Sequence, residues 1–166
     1  MKGFCPFGVL LTLLTTALGF TTEVWATECE QVHAQIISSP TTTGCASPVG
    51  LCTAGEIEGN RGLNGTTFFT ADSIAAGPST APNALATVSY SGVLQITTDK
   101  GTLTTRDTGI FDTSTGSAPS GFFSSFDVVI GGTGKFQGAT GDLFIGGKTI
   151  AGQFVTSVIT GEICLP

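Results

Sequence analysis

Apolar residues return at every second position through most of the chain beyond residue 26. Val32, Ala34 and Ile36 share one parity between Cys29 and Ile37. Val88, Tyr90, Leu94 and Ile96 share one between Thr87 and Thr97, with Gly92 in the same row. Further extended runs cover Gly65–Ile74, Thr102–Phe111, Phe122–Ile130, Gly141–Ile145 and Thr149–Thr160. A side-chain period of two marks a strand with one buried face. After Ala26 no apolar stripe of period 3.6 lasts for three turns. Turn signals separate the runs at Gly77-Pro78, Asp99-Lys100-Gly101, Gly116–Gly121, Gly131-Gly132 and Gly146-Gly147. The stretches Ser38–Gly50 and Gly77–Asn83 read as loops. Seven or eight short strands with tight links predict an antiparallel sandwich or barrel. No strand–helix–strand alternation is present, which excludes a doubly wound parallel sheet.

One hairpin can be read to the residue. A two-residue loop at Asp99-Lys100 sets Ile96 opposite Leu103, Leu94 opposite Thr105, Gly92 opposite Asp107 and Val88 opposite Phe111. A three-residue loop with a bulge at Gly101 has better turn chemistry but breaks the apolar parity. A buried face binds register more strongly than a turn does, so the two-residue loop is expected. It puts Asp107 on the apolar face, near Tyr90.

The first residues have a different character. Met1-Lys2 precede a nearly uninterrupted apolar and Thr run from Phe4 to Phe20, and Val24-Trp25-Ala26 ends on a small residue. This is the layout of a secretory signal peptide, residues 1–26, with one domain over residues 27–166. A membrane anchor fits less well, because Pro6 and Gly8 interrupt the run and no basic stop-transfer segment follows. The expected product is therefore secreted, extracellular or periplasmic, and not stably inserted in a membrane. Export leaves four cysteines, Cys29, Cys45, Cys52 and Cys164, an even number suited to two disulfides. Of three pairings, Cys45–Cys52 as a local loop and Cys29–Cys164 as an end-to-end tie are expected. A zinc site would need closer ligand spacing and more than the single His33. Asn64-Gly65-Thr66 reads as a glycosylation sequon or as a turn. Charged residues are only 11% of the chain and the formal charge is −6, so a phosphate backbone is an unsuitable partner.

The run Asp127–Leu143 contains Gly131-Gly132-Thr133-Gly134-Lys135-Phe136-Gln137-Gly138-Ala139-Thr140-Gly141. It resembles the GGTGxFxGAxG signature of the allene oxide cyclase and dirigent protein superfamily. In physical terms a strand ends near Ile130, glycines allow positive φ and close backbone approach, Phe136 packs back under the turn, and a strand resumes near Gly141. The resemblance implies an all-β fold, a closed antiparallel eight-stranded β-barrel of calycin-like form with an apolar cavity. It also implies cofactor-free cyclase-like or dirigent-like behaviour and a homo-oligomer. The family's functional residues lie on other strands that do not align here, so none is carried over.

The candidate chemistry comes from the residues themselves. A carboxylate facing an apolar cavity has a raised pKa and can act as a general acid or base, which makes Asp107 the first candidate. Tyr90 can donate to a developing oxyanion beside it. The plainer reading pairs Asp107 with Arg106 or a backbone N–H. Asp127 and Asp112 are weaker candidates of the same kind. Leu94, Phe111 and Phe126 are expected to form the ligand-binding wall, and most other phenylalanines the core. Glu56 and Glu58 are expected to face solvent. The Gly131–Gly134 run lacks the Lys-Ser/Thr ending of a phosphate loop. No serine lies in G-x-S-x-G, and His33 is the single possible triad base, expected on a strand surface. Two functions remain in front: a barrel that binds a small hydrophobic molecule and steers its cyclisation or coupling without a cofactor or metal, and a non-enzymatic surface protein with a filled interior. A cavity with a carboxylate or Tyr at its wall separates them.

Overall fold

A computed structural model describes residues 28–77, 87–112, 121–150 and 154–166. The proposed signal segment lies outside the described residues. The strands are β1 (Glu28–Pro40), β2 (Cys52–Gly59), β3 (Gly65–Ala76), β4 (Thr87–Thr98), β5 (Gly101–Asp112), β6 (Gly121–Gly132), β7 (Thr140–Ile150) and β8 (Phe154–Leu165). Each pairs antiparallel with the next, and β8 returns to pair with β1, so the sheet closes into an eight-stranded barrel. Closure removes the free edges that an open sheet of this length would present. The β4–β5 register is the one the apolar parity requires: Ile96 faces Leu103, Gly92 faces Asp107 and Val88 faces Phe111.

One end of the barrel is sealed. Inward residues from the strands, including Ile57, Ile96, Leu103, Leu143 and Ile159, are at most 2% exposed. Two residues from the connecting turns, Leu63 and Phe136, join the same core and close the lumen from below. Phe136 ends a 3-10 turn, Gly134–Phe136, that docks on the β4–β5 hairpin. Lys135 N donates to Lys100 O at 2.8 Å, and Thr133 N donates to Thr102 O at 2.8 Å. The contact needs bare backbone on both sides: a Cβ on Gly134 would lie 2.2 Å from Lys100 O, and one on Gly101 would lie 2.1 Å from Thr133 O. Both glycines also have positive φ.

At the other end β2 is short, with 8 residues against 11 to 13 in the other strands. The β1–β2 loop covers part of β3 that β2 does not reach. Ala71 N donates to Leu51 O at 3.0 Å, and the Ser47 hydroxyl donates to Ala71 O. Cys45–Cys52 pins this loop, while Cys29–Cys164 joins facing residues of β1 and β8 across the seam that closes the barrel. Both bonds match the expected pairing. The segments 78–86, 113–120 and 151–153 lie outside the described residues.

Three expectations need correction. β2 was not among the extended runs, because its Gly55 and paired glutamates mask the alternation; Ile57 is its buried anchor and Glu56 and Glu58 are exposed. Gly131-Gly132 is no turn, since β6 runs through it with a register shift opposite Thr104/Thr105. Gly146-Gly147 is likewise inside a strand, and Thr149 belongs to β7 while β8 starts at Phe154. Gly147 sits there because the neighbouring strand is close: its Cβ would lie 2.2 Å from Thr156 O.

Candidate functional site

Above the sealed core several inward positions carry small side chains, and a cavity of about 420 Å³ opens. Ser38 on β1, Thr53 on β2, Thr67 on β3, Thr149 on β7 and Ser157 on β8 leave the space that leucine and isoleucine fill below. Two cross-strand glycines do the same for aromatic rings. Tyr90 faces Gly109, where a Cβ would lie 2.5 Å from the phenol oxygen. A Cβ on Gly92 would lie 2.6 Å from the Phe69 ring. The two rings meet edge to face at 6.0 Å between centroids.

Asp107, Tyr90, Leu94 and Phe111 all line this cavity, as the sequence leads one to expect. Phe126 does not. It lies on the outer face of β6, 41% exposed, with its ring 5.2 Å from that of Phe144 on β7. The bulge that shifts the end of β6 comes after Phe126, so parity sets its face: Ser125, Asp127 and Val129 point inward and Phe126 points out. Phe122 and Phe144 are exposed as well, so the phenylalanines are less uniformly core than their hydrophobicity suggests. Phe123 on β6 lines the cavity in place of Phe126.

The polar side of the cavity is a pair of carboxyl groups. Asp107 on β5 faces Asp127 on β6. Asp107 is 6% exposed and Asp127 is fully buried behind it. Arg106 does not pair with Asp107. It points outward, where it pairs with Asp72 and its Nη2 donates to the Ser91 hydroxyl at 3.2 Å. Among the described residues lining the cavity there is no Lys, Arg or His. Asp127 instead accepts the Thr105 hydroxyl at 2.7 Å on Oδ2 and the Ser125 hydroxyl at 2.9 Å on Oδ1. The Ser125 hydroxyl also lies beside Tyr90 and Asp107, where it favours their charged forms. Asp107 Oδ1 is buried and has no hydrogen-bond partner.

Burial raises the pKa of both carboxyl groups, and the nearby Asp127 charge adds to the effect on Asp107, which is pushed up to about 8. The two hydroxyl donors favour the charge on Asp127, so Asp107 keeps the proton at neutral pH. Tyr90 is pushed well above the usual phenol range, chiefly by burial and next by the Asp107 charge, and stays neutral. Asp127, a weaker candidate on sequence grounds, thus holds the centre of the network. Its inward parity with Ser125 and Val129 was the available signal; that it stands opposite Asp107 depends on the β5–β6 pairing.

Other charged and titratable side chains lie elsewhere. His33 is on the outer face of β1 opposite Thr160, away from the cavity. Arg61 pairs with Glu30 at 2.9 Å near the sealed end. Asp112 lies at the end of β5, outside the cavity lining. Among the described residues no group of three His, Cys, Asp or Glu side chains is placed to hold a metal ion. A scan of family models, a search of curated proteins and a search of solved structures each return no match to this chain.

Proposed function

We propose that this barrel is an exported protein that binds a small hydrophobic molecule in its open end, and steers that molecule's cyclisation or coupling by confinement and proton exchange. The single observation behind this reading is the 420 Å³ cavity with the Asp107 carboxyl group at its wall. Its size is within the range of small-molecule sites, and its surface is mostly apolar with few polar groups, as such sites are. A buried acid whose pKa lies near 8 exchanges a proton readily at physiological pH. No cofactor is required for that chemistry. The resemblance of residues 131–141 to the allene oxide cyclase and dirigent superfamily supports the same reading.

Export rests on residues 1–26 and agrees with two disulfides. Among the described residues no helix is long and apolar enough to cross a membrane. The alternative, a surface protein with a filled interior, suits the sealed half but not the open half.

Native mass spectrometry of the secreted protein tests the reading. A co-purified apolar molecule released by denaturation is expected, on a chain beginning at Thr27. The same spectrum counts the subunits, which checks the homo-oligomer. Protein that stays ligand-free, and takes up no apolar molecule from a mixed extract, overturns the binding reading. An intact Met1 overturns signal cleavage.

A further inference from the structure

The outer wall of the barrel is uneven in its chemistry. Outward positions of β2 to β4 carry Glu56, Glu58, Thr66, Gln95 and Thr97. Those of β5 to β8 carry Ile110, Phe122, Phe126, Val128, Phe144 and Val158, each between 40% and 57% exposed. A contiguous apolar patch of this kind marks an interaction surface. The patch also has relief. Phe126 and Phe144 stand side by side, and the next outward pair toward the open end is Ser124 and Gly146. A groove of about 520 Å³ runs over Gly146, beside Phe122, Ile37 and Val158. The barrel itself does not require glycine there. A Cβ on Gly146 would meet nothing nearer than Phe123 O at 4.0 Å, and the backbone is not left-handed. Alternate residues share a face, so β7 presents Asp142, Phe144, Gly146 and Lys148 outward in that order. Asp142 faces Glu162 on β8, a like charge. Among the described residues neither Asp142 nor Lys148 makes an ion pair.

We infer that this face pairs with the same face of a second copy, about a two-fold axis that lies in the interface and crosses the strands at the level of Ser125 and Ile145. Those two residues face each other on β6 and β7, so one axis serves both strands. The rotation reverses strand direction and leaves each strand over its own counterpart. Phe144 of one copy then lies over Gly146 of the other, and Phe126 over Ser124. Sheets packed face to face stand about 10 Å apart, a gap that a ring on one side and a small residue on the other fill well. At the margins Asp142 of one copy meets Lys148 of the other, and symmetry repeats the contact. An isologous interface has to be self-complementary in this way. An axis along the strands would instead set ring on ring and lysine on lysine. A bilayer surface fits less well, because Asp142 and Lys148 would both lose water there without gaining a partner. The inference goes beyond the ligand-binding reading and is independent of it.

The test is sedimentation velocity of the secreted full chain over a concentration series, with flotation on phosphatidylcholine vesicles as a second arm. The wild type is expected to form a dimer that dissociates in the micromolar range, and not to float. Gly146→Phe fills the groove and should weaken the dimer at least about 100-fold, while melting is unchanged because the added ring points into open space. Lys148→Asp should weaken it about tenfold, and Asp142→Lys by a similar factor. The two charge changes together should restore pairing to within about threefold of wild type, a rescue that a purely structural role for either residue would not give. If Gly146→Phe does not fold, the charge exchange decides alone. A wild-type chain that stays monomeric at about 100 μM overturns the inference. So does a trimer or larger ring, a dimer that these variants leave unchanged, or a monomer that floats with the vesicles. Each of these outcomes leaves the ligand-binding reading standing.

Discussion

The two ends of the barrel are built from the same strands with the same inward–outward alternation, yet one is solid and the other hollow. In the sealed half the inward positions hold Ile57, Ile96, Leu103, Leu143 and Ile159, and the turns contribute Leu63 and Phe136. In the open half the same strands present Thr53, Asp107, Thr149 and Ser157, and glycine stands opposite Tyr90. Closing eight strands produces a tube just wide enough for side chains to fill. The choice between core and cavity is therefore made by side-chain volume, strand by strand. Polar groups follow the same division: the acid pair sits at the boundary, where Asp127 is sealed in and Asp107 faces the space.

Each end carries one disulfide, and their removal gives the largest contrast. By lost chain entropy, replacing Cys29 and Cys164 with serine should cost about 5 kcal/mol, because the bond spans 135 residues, while the Cys45–Cys52 pair, spanning 7, should cost about 2 kcal/mol. Denaturant unfolding of both double variants checks the order. Equal losses would mean that the closing seam is held by its hydrogen bonds alone.

Core truncation comes next. Phe136→Ala should lose about 3–5 kcal/mol, since it empties a fully packed site. Phe111→Ala, at the cavity wall, should lose about half as much, because one side of that ring already meets empty space. A thermal unfolding series distinguishes the two. Similar losses would argue that the cavity is collapsed in solution.

The acid pair predicts an unusual pH profile. Asp107 titrates near 8 in the folded protein and near 3.9 when unfolded, so the folded state holds the extra proton between those values. Its contribution is complete below about pH 4 and is lost as pH rises toward 8, at up to about 1.4 kcal/mol per pH unit. Asp127, also raised, acts in the same direction. Asp72 acts oppositely. Its exposed carboxylate is held below the usual range by hydrogen bonds from Arg106, and that effect is lost only on acidification through its folded pKa. Urea midpoints should therefore fall from pH 5 to pH 8. Asp107→Asn should flatten most of that fall, and an unchanged slope would place the titration elsewhere.

The smallest effect on stability falls in the cavity. Ser157→Val adds a methyl-sized volume to open space and should shift unfolding by less than about 1 kcal/mol while weakening binding of apolar molecules. The paired measurement, melting together with probe affinity, would contradict a hollow upper half if stability fell steeply and affinity did not change.

Much of this was legible in single residues. The parity of Val88, Tyr90, Leu94 and Ile96 against Leu103, Thr105 and Asp107 was enough to set the β4–β5 register, because a one-residue slip would turn the whole face to water. The even cysteine count led to both disulfides. Other features were hidden by glycine, which reads as a turn in a sequence and as close packing in a sheet. Gly146-Gly147 lies inside β7, and Thr149 therefore belongs to β7 and not to the strand that follows. Phe126 lies on the outer face despite its apolar ring, because hydrophobicity says only that a ring prefers burial. Its neighbours' parity decides which side of the wall it takes.

The alternation of residue types determined that this chain forms antiparallel strands and which face of most of them is buried, since both follow from a local period of two. It also brought Asp107 to the apolar face beside Tyr90. Only the tertiary structure decided that the sheet closes, that one half fills and the other stays open, and that Asp127 stands behind Asp107 with Ser125 joining them to Tyr90. Those facts depend on volumes and pairings between distant segments, which no local pattern encodes.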